Sequence, residues 1–180
     1  TLPANVAICL GPNFDYALLK ANREGETEYY VVAKELAANV MQEAGIEEYE
    51  IIGTVKGSEL EYVECAHPFL DRKSILILGD HVTLDSGTGC VHTAPGFGAD
   101  DYETCKRYGM DMVVPVDDQG RHTDYAGKYA GLTTEESNPI ILADMKAAGS
   151  LFASEDIVHS YPHCWRCKKP IIFRATPQWF

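Results

Sequence analysis

The chain has 180 residues, 46% of them hydrophobic, enough to bury one good core and to make one domain, or about one and a half at most, the expectation. Its formal net charge of −12 excludes strong autonomous binding to nucleic acid, because phosphate contacts need clustered Lys and Arg. No apolar run approaches the roughly 20 residues that cross a membrane, and no basic segment leads into an apolar one as a secretion signal does.

Taken in order, residues 5–10 (Asn-Val-Ala-Ile-Cys-Leu) read as a strand, and Gly11-Pro12-Asn13 as a turn. Residues 14–20 and 28–33 flank the polar, glycine-containing stretch 21–26, which is a hairpin signal. Leu36, Val40, Met41 and Ala44 fall at helical intervals before Gly45, so 33–44 is an expected amphipathic helix. Residues 49–56 return to strand character, 57–71 are irregular, and Ile75-Leu76-Ile77-Leu78 is a buried strand with 82–84 pairing beyond its turn.

Gly87 to Gly89 make a turn into the short apolar run Cys90-Val91, which delivers His92 and Thr93 at a strand end. Ala94-Pro95-Gly96-Phe97-Gly98 cannot easily continue a strand, since proline lacks an amide donor and glycine favours unusual backbone angles. Tyr102, Cys105 and Tyr108 then recur at helical spacing up to Gly109, which places Asp100 and Asp101 at a helix N-terminus.

Further on, 112–116 read as an edge strand because of Pro115, 117–120 as a turn, and 121–132 as a loop over the surface. Thr133 and Glu136 have capping-box spacing, with Asn138-Pro139 an alternative helix start. Ile141, Leu142, Met145 and Ala148 supply that helix's apolar face. Residues 151–153, 157–159 and 171–174 are short strand candidates around the Cys164-Trp165-Arg166-Cys167 turn. Many short strands with three helices between them point to a mainly β fold with helices packed around it.

Six cysteines, four of them scattered singly, in a chain that needs no staples, point to a reducing compartment, the cytoplasm. Asp100 and Asp101 have a plain reading as helix caps near the positive end of the dipole. The chemical reading makes a carboxylate at a pocket mouth hold a substrate ammonium. His92 has three readings on pattern alone: general base, pocket wall, or core histidine. Cys164 and Cys167 have metal-ligand spacing but make only half a tetrahedral zinc site, with His159 and His163 as candidate substitutes and two reduced thiols as the plain alternative. No Ser-His-Asp or Cys-His context suggests a covalent intermediate.

These motifs occur together in one order. Gly57-Ser58-Glu59-Leu60, His67-Pro68-Phe69-Leu70-Asp71-Arg72, Gly87-Thr88-Gly89 with His92-Thr93-Ala94-Pro95, His159-Ser160-Tyr161-Pro162-His163-Cys164-Trp165-Arg166-Cys167 and Ala175-Thr176-Pro177-Gln178-Trp179-Phe180 follow one another. In this the chain resembles, over essentially its whole length, the editing domain inserted in the connective peptide of isoleucyl-tRNA synthetase, a class I aminoacyl-tRNA synthetase. Thr1-Leu2-Pro3-Ala4-Asn5 resembles the end of that family's threonine-rich peptide. Histidine at position 92, where valyl domains usually have lysine and leucyl ones methionine, favours the isoleucyl type.

The resemblance implies a closed β-barrel core and a single editing domain over 1–180, with 159–180 returning toward the synthetic domain. It implies hydrolysis of misacylated valyl-tRNA(Ile), and of valyl-adenylate, as part of an isoleucine–tRNA ligase. Asp101 would anchor the amino group and act as the catalytic residue. His92 would exclude the larger side chain, Thr93, Ala94, Pro95, Gly96, Phe97 and Gly98 would shape the pocket, and Thr1 and Asn5 would form its opposite edge. Phe97 stands where some family members have histidine. Editing would need no cofactor, while a second cysteine pair of the parent protein can complete a zinc site with Cys164 and Cys167. The implied partners are the aminoacylated 3′ end of tRNA(Ile) and the parent's other domains, with no membrane and a monomeric state. Because the chain starts inside a motif, it is expected to be a piece of a larger protein, and a weak hydrolase in isolation for want of the upstream threonines. The alternatives are a valyl-type domain that clears threonine and a non-catalytic cysteine-containing binding module.

Overall fold

The computed structural model describes residues 1–156 and 158–179. The chain divides into two compact units. One comprises Asn5–His67 and Asp71–Thr93; the other comprises Thr1–Ala4, Pro68–Leu70 and Ala94–Phe180.

The first of these units holds every strand of the described residues: β1 (Ala7–Leu10), β2 (Asp15–Arg23), β3 (Glu26–Ala33), β4 (Tyr49–Lys56), β5 (Glu64–Ala66), β6 (Lys73–Leu78) and β7 (Cys90–Thr93). They pair into a four-stranded sheet in the order β5-β6-β1-β7 and a three-stranded sheet in the order β3-β2-β4. β1 runs parallel to β6 and antiparallel to β7, with Ile8 opposite both Leu76 and His92. Where the resemblance implies a closed barrel, the pairings among the described residues leave both sheets open. Three-residue β5 and four-residue β7 end the larger sheet, offering few ladder bonds with which to close it.

The β2–β3 hairpin is tighter than its sequence suggests. Glu24 and Gly25 both take positive φ, the geometry of a two-residue turn whose twist matches its strands, so Arg23 already pairs with Glu26. The expected helix over 33–44 opens as a 3-10 turn (Lys34–Leu36) and continues as α1 (Ala37–Glu43), burying Leu36, Val40 and Met41. Residues 82–84 form no strand, and β5 lies in the segment read as irregular.

The core of this unit is tied by one phenol. Tyr16, wholly buried, accepts a hydrogen bond from the Gly11 amide (2.9 Å) and donates to the Gly89 carbonyl (2.7 Å). Burial pushes its hydroxyl up to about 12, so it stays a donor throughout the physiological range. The Gly87-Thr88-Gly89 turn is pinned from the other side by Ala33, whose amide donates to the Thr88 carbonyl at 2.8 Å. A Cβ on Gly89 would lie 2.4 Å from the Ala33 Cβ, and φ there is +72°. The glycine is required by space and by backbone angle alike.

The second unit contains α2 (Ala99–Arg107) and α3 (Thr134–Ala147). Thr133 caps α3 in a reciprocal box with Glu136, so the helix starts there and Pro139 lies inside it. The loop over 121–132 is not merely a surface crossing. Its 3-10 segment Asp124–Tyr129 buries Ala126 and Tyr129, which pack with Ile141, and the Tyr129 ring meets Phe69 edge-on at 5.5 Å. Residues 112–116 and 171–174 form no strands. Pro115 can donate no ladder bond, only Val116 makes a bridge, to His122, and Pro170 bridges His163. Residues 151–153 are irregular, as are 158 and 159, while Ile157 of the expected 157–159 strand lies outside the described residues.

Candidate functional site

His92 reaches its place because β7 pairs with β1. It stands opposite Ile8, half-buried, one residue before Thr93, whose carbonyl accepts from the Val6 amide at 3.1 Å. Burial is the main reason its imidazole is pushed down to about 4, with the nearby His67 adding to the effect. The ring is therefore neutral at physiological pH. Its Nδ1 lies 2.7 Å from Asn5 Nδ2, and the same Asn5 nitrogen donates to the Ala7 carbonyl at 2.9 Å. Asn5 Oδ1 in turn accepts from the Ser74 hydroxyl. Asn5, 7% exposed, is a bracket against His92, and Thr93 is wholly buried with its hydroxyl donating to the Val91 carbonyl at 3.1 Å.

In the unit that begins at Ala94, the chain reverses through a turn closed by the Phe97 amide on the Ala94 carbonyl (3.0 Å). Gly96 permits it, since a Cβ there would meet the Val113 carbonyl at 2.6 Å. α2 follows with Gly98 as its N-cap and no side-chain cap, so Asp100 does not take the capping bond expected of it. Asp101 turns back over the reversal and accepts the Ala94 amide on Oδ2 at 2.9 Å. Oδ1 has no hydrogen bond from the described residues. A Cβ on Gly98 would lie 3.1 Å from the Asp101 carboxyl carbon, a tight contact that would push against the carboxylate.

Two hollows open in this unit. Pro95, Gly96, Phe97 and Gly98 line one of about 700 Å³ together with Tyr102 and Phe173. Phe97 also borders a smaller one of about 190 Å³, on which Thr1, His122 and Asn138 converge. The structure thus brings Thr1 together with Phe97, and Asn5 together with His92. Of the reversal's amides, those of Ala94 and Phe97 are occupied, while those of Gly96 and Gly98 take no bond from the described residues.

Sequence reasoning missed Ser74. It lies 69 residues from the asparagine it touches, and no local pattern marks it. Burial pushes the Cys90 and Cys105 thiols up to about 11, helped at Cys105 by the Asp101 charge, a direction that disfavours the nucleophilic thiolate. Cys164 is different. The Cys167 and Arg166 amides point at its sulfur and draw its thiol below the ordinary range. The Cys164 amide donates to Lys169 and the Lys168 amide to Cys164, closing a knuckle with Lys168 at φ 60°. Yet among the described residues no third His, Cys, Asp or Glu joins the pair, and the His159 and His163 rings hydrogen-bond to the Ser160 and Tyr161 carbonyls. Two thiols do not fit a closed four-ligand site.

No family model matches the chain. Over all 180 residues it is 56% identical to the isoleucine–tRNA ligase of Petrotoga mobilis and 55% identical to that of Caldicellulosiruptor bescii, in each case along 19% of the ligase. The chain is homologous to one segment of the isoleucine–tRNA ligases. It spans about a fifth of the length of these curated relatives. The chain also resembles the crystal structure of GlLeuRS-CP1, with a TM-score of 0.61 over 90% of this chain and 80% of that one. At 15% identity this likeness is one of fold alone, mixed sheets with helices like those of the LeuRS CP1 domain.

Proposed function

We propose that this segment is the editing module of an isoleucine–tRNA ligase and hydrolyses the ester that links valine to tRNA(Ile), and by the same chemistry valyl-adenylate. The observation that supports it most is the setting of Asp101. One oxygen is fixed by the Ala94 amide and the other takes no bond from the described residues, beside a loop of glycines and an apolar hollow. A carboxylate so held can take the α-ammonium of an aminoacyl ester in a charge-assisted hydrogen bond and orient the carbonyl for attack by water. The Gly96 and Gly98 amides are the reversal's available donors for the developing oxyanion.

His92, neutral and bracketed, serves as a wall against the larger side chain. One methylene changes affinity by only about 1–3 kcal/mol, a general figure for which isoleucine against valine is itself the reference case. A rigid wall discriminates better, because overpacking is costly even for apolar groups. The proposal includes the single domain over 1–180 with 159–180 leading back to the synthetic part, and a monomeric, cytoplasmic parent. The parent would complete the zinc site of Cys164 and Cys167. The partners are the aminoacylated 3′ end of tRNA(Ile) and the rest of the ligase.

The test is deacylation by the full ligase of valyl-, isoleucyl- and threonyl-tRNA. Rapid loss of the valyl ester alone is expected. Preference for the threonyl ester would make this a valyl-type module, and hydrolysis of none would leave a binding module.

A further inference from the structure

Asn5 stands just before β1, the strand between β6 and β7, and its side chain spans both neighbours: Ser74 on β6 and His92 on β7. All three side chains are wholly or partly buried, Ser74 to 2% and Asn5 to 7% exposure. The donors and acceptors in this chain have one consistent assignment. The Ala7 carbonyl can only accept, so the Asn5 atom 2.9 Å away is the NH₂ group. A flipped amide would set two oxygens against each other there and leave the Ser74 hydroxyl facing a nitrogen. The same NH₂ group sits 2.7 Å from His92 Nδ1, which must therefore accept, so the imidazole proton is on Nε2.

We propose that Ser74 is a positioning residue for the editing site: by holding Asn5 Oδ1 it fixes the asparagine amide, which holds His92 as the neutral Nε2–H tautomer in one ring orientation. A histidine whose ring could turn, or take its proton on Nδ1, would present a different outline and a different polar edge to the substrate. The functional half of this rests on the editing function proposed above; the tautomer does not. The low proton affinity of His92 agrees with it, since an imidazolium would put an N–H against the Asn5 NH₂.

The experiment is long-range ¹H–¹⁵N correlation of the imidazoles in the 180-residue chain, paired with deacylation by the full ligase. In the wild type His92 should carry its proton on Nε2 at neutral pH. Ser74→Ala should give mixed tautomers and reduce valyl-over-isoleucyl discrimination by roughly tenfold, the worth of one net hydrogen bond. Ser74→Thr, which keeps the hydroxyl, should restore both. Asn5→Asp offers Nδ1 an acceptor and should move the proton there. A wild-type His92 protonated on Nδ1, or a Ser74→Ala variant with unchanged tautomer and discrimination, overturns the proposal. A wild-type ligase that leaves valyl-tRNA intact overturns the editing function instead, and the imidazole spectrum still decides the tautomer.

Discussion

Substituting Asp101 separates its two tasks, bracing the reversal and holding a charge. In Asp101→Ala the Ala94 amide, in a residue 1% exposed, loses its only acceptor among the described residues. Hydrogen bonds to charged groups contribute about 1.5–3 kcal/mol, so the unfolding free energy should fall by about that much. Asp101→Asn keeps an oxygen that can accept the amide, and should lose under about 1 kcal/mol. Deacylation should behave otherwise. Both variants lack the negative charge that grips the ammonium, and both should lose on the order of a hundredfold in valyl-tRNA hydrolysis while charging with isoleucine is unaffected. Urea unfolding of the segment and deacylation by the full ligase measure the two. An Asp101→Asn ligase as active as the wild type would show that the carboxylate is needed only as a brace, and the reasoning about the ammonium would fail.

Acid should weaken the fold through His92. Its folded value near 4 lies below the ordinary 6.5, so between those pH values the unfolded chain takes up a proton that the native one refuses. Stability is then lost as pH falls from about 6.5 to about 4, by at most about 3 kcal/mol, and not further below. His122, also lowered by burial, acts in the same direction. Urea midpoints of wild type and His92→Asn across that window test it, and parallel curves refute it. Gly89→Ala should destabilise by more than about 2 kcal/mol, from the positive φ and the clash with Ala33, whereas alanine at exposed Gly25, where nothing lies within 4 Å, should meet only the backbone strain. Equal losses at the two glycines, by urea unfolding, would contradict the steric part.

What the sequence made legible is what is decided locally. β4 was expected at its observed limits, and the Thr133–Glu136 box marked the start of α3, because alternation and caps are short-range signals. The same signals misled where a proline intervened. The apolar run 112–116 has strand composition, but Pro115 breaks its donor row, and the segment packs against Gly96 instead of pairing. β5, three residues long, is too short for any periodicity to show. Motif order singled out His92 and Asp101 as candidates, but not the surroundings of either. That Asn5 faces His92 from 87 residues away is a product of tertiary folding, and the bond from the Ala94 amide to Asp101, only seven residues on, depends on a chain reversal that no periodicity encodes.

The bracket on His92 crosses three strands, the last of which, β7, is a four-residue edge. Its seating depends on long-range pairing at a short edge, the kind of contact that costs the most chain entropy to form and the least free energy to open. A molecule whose edge had peeled away would retain most of its ladders, yet its imidazole would be free to swivel. Under the proposed function, fidelity would degrade ahead of structure, so error rates under mild heat or denaturant would register the loosening of that margin before any global probe detects unfolding.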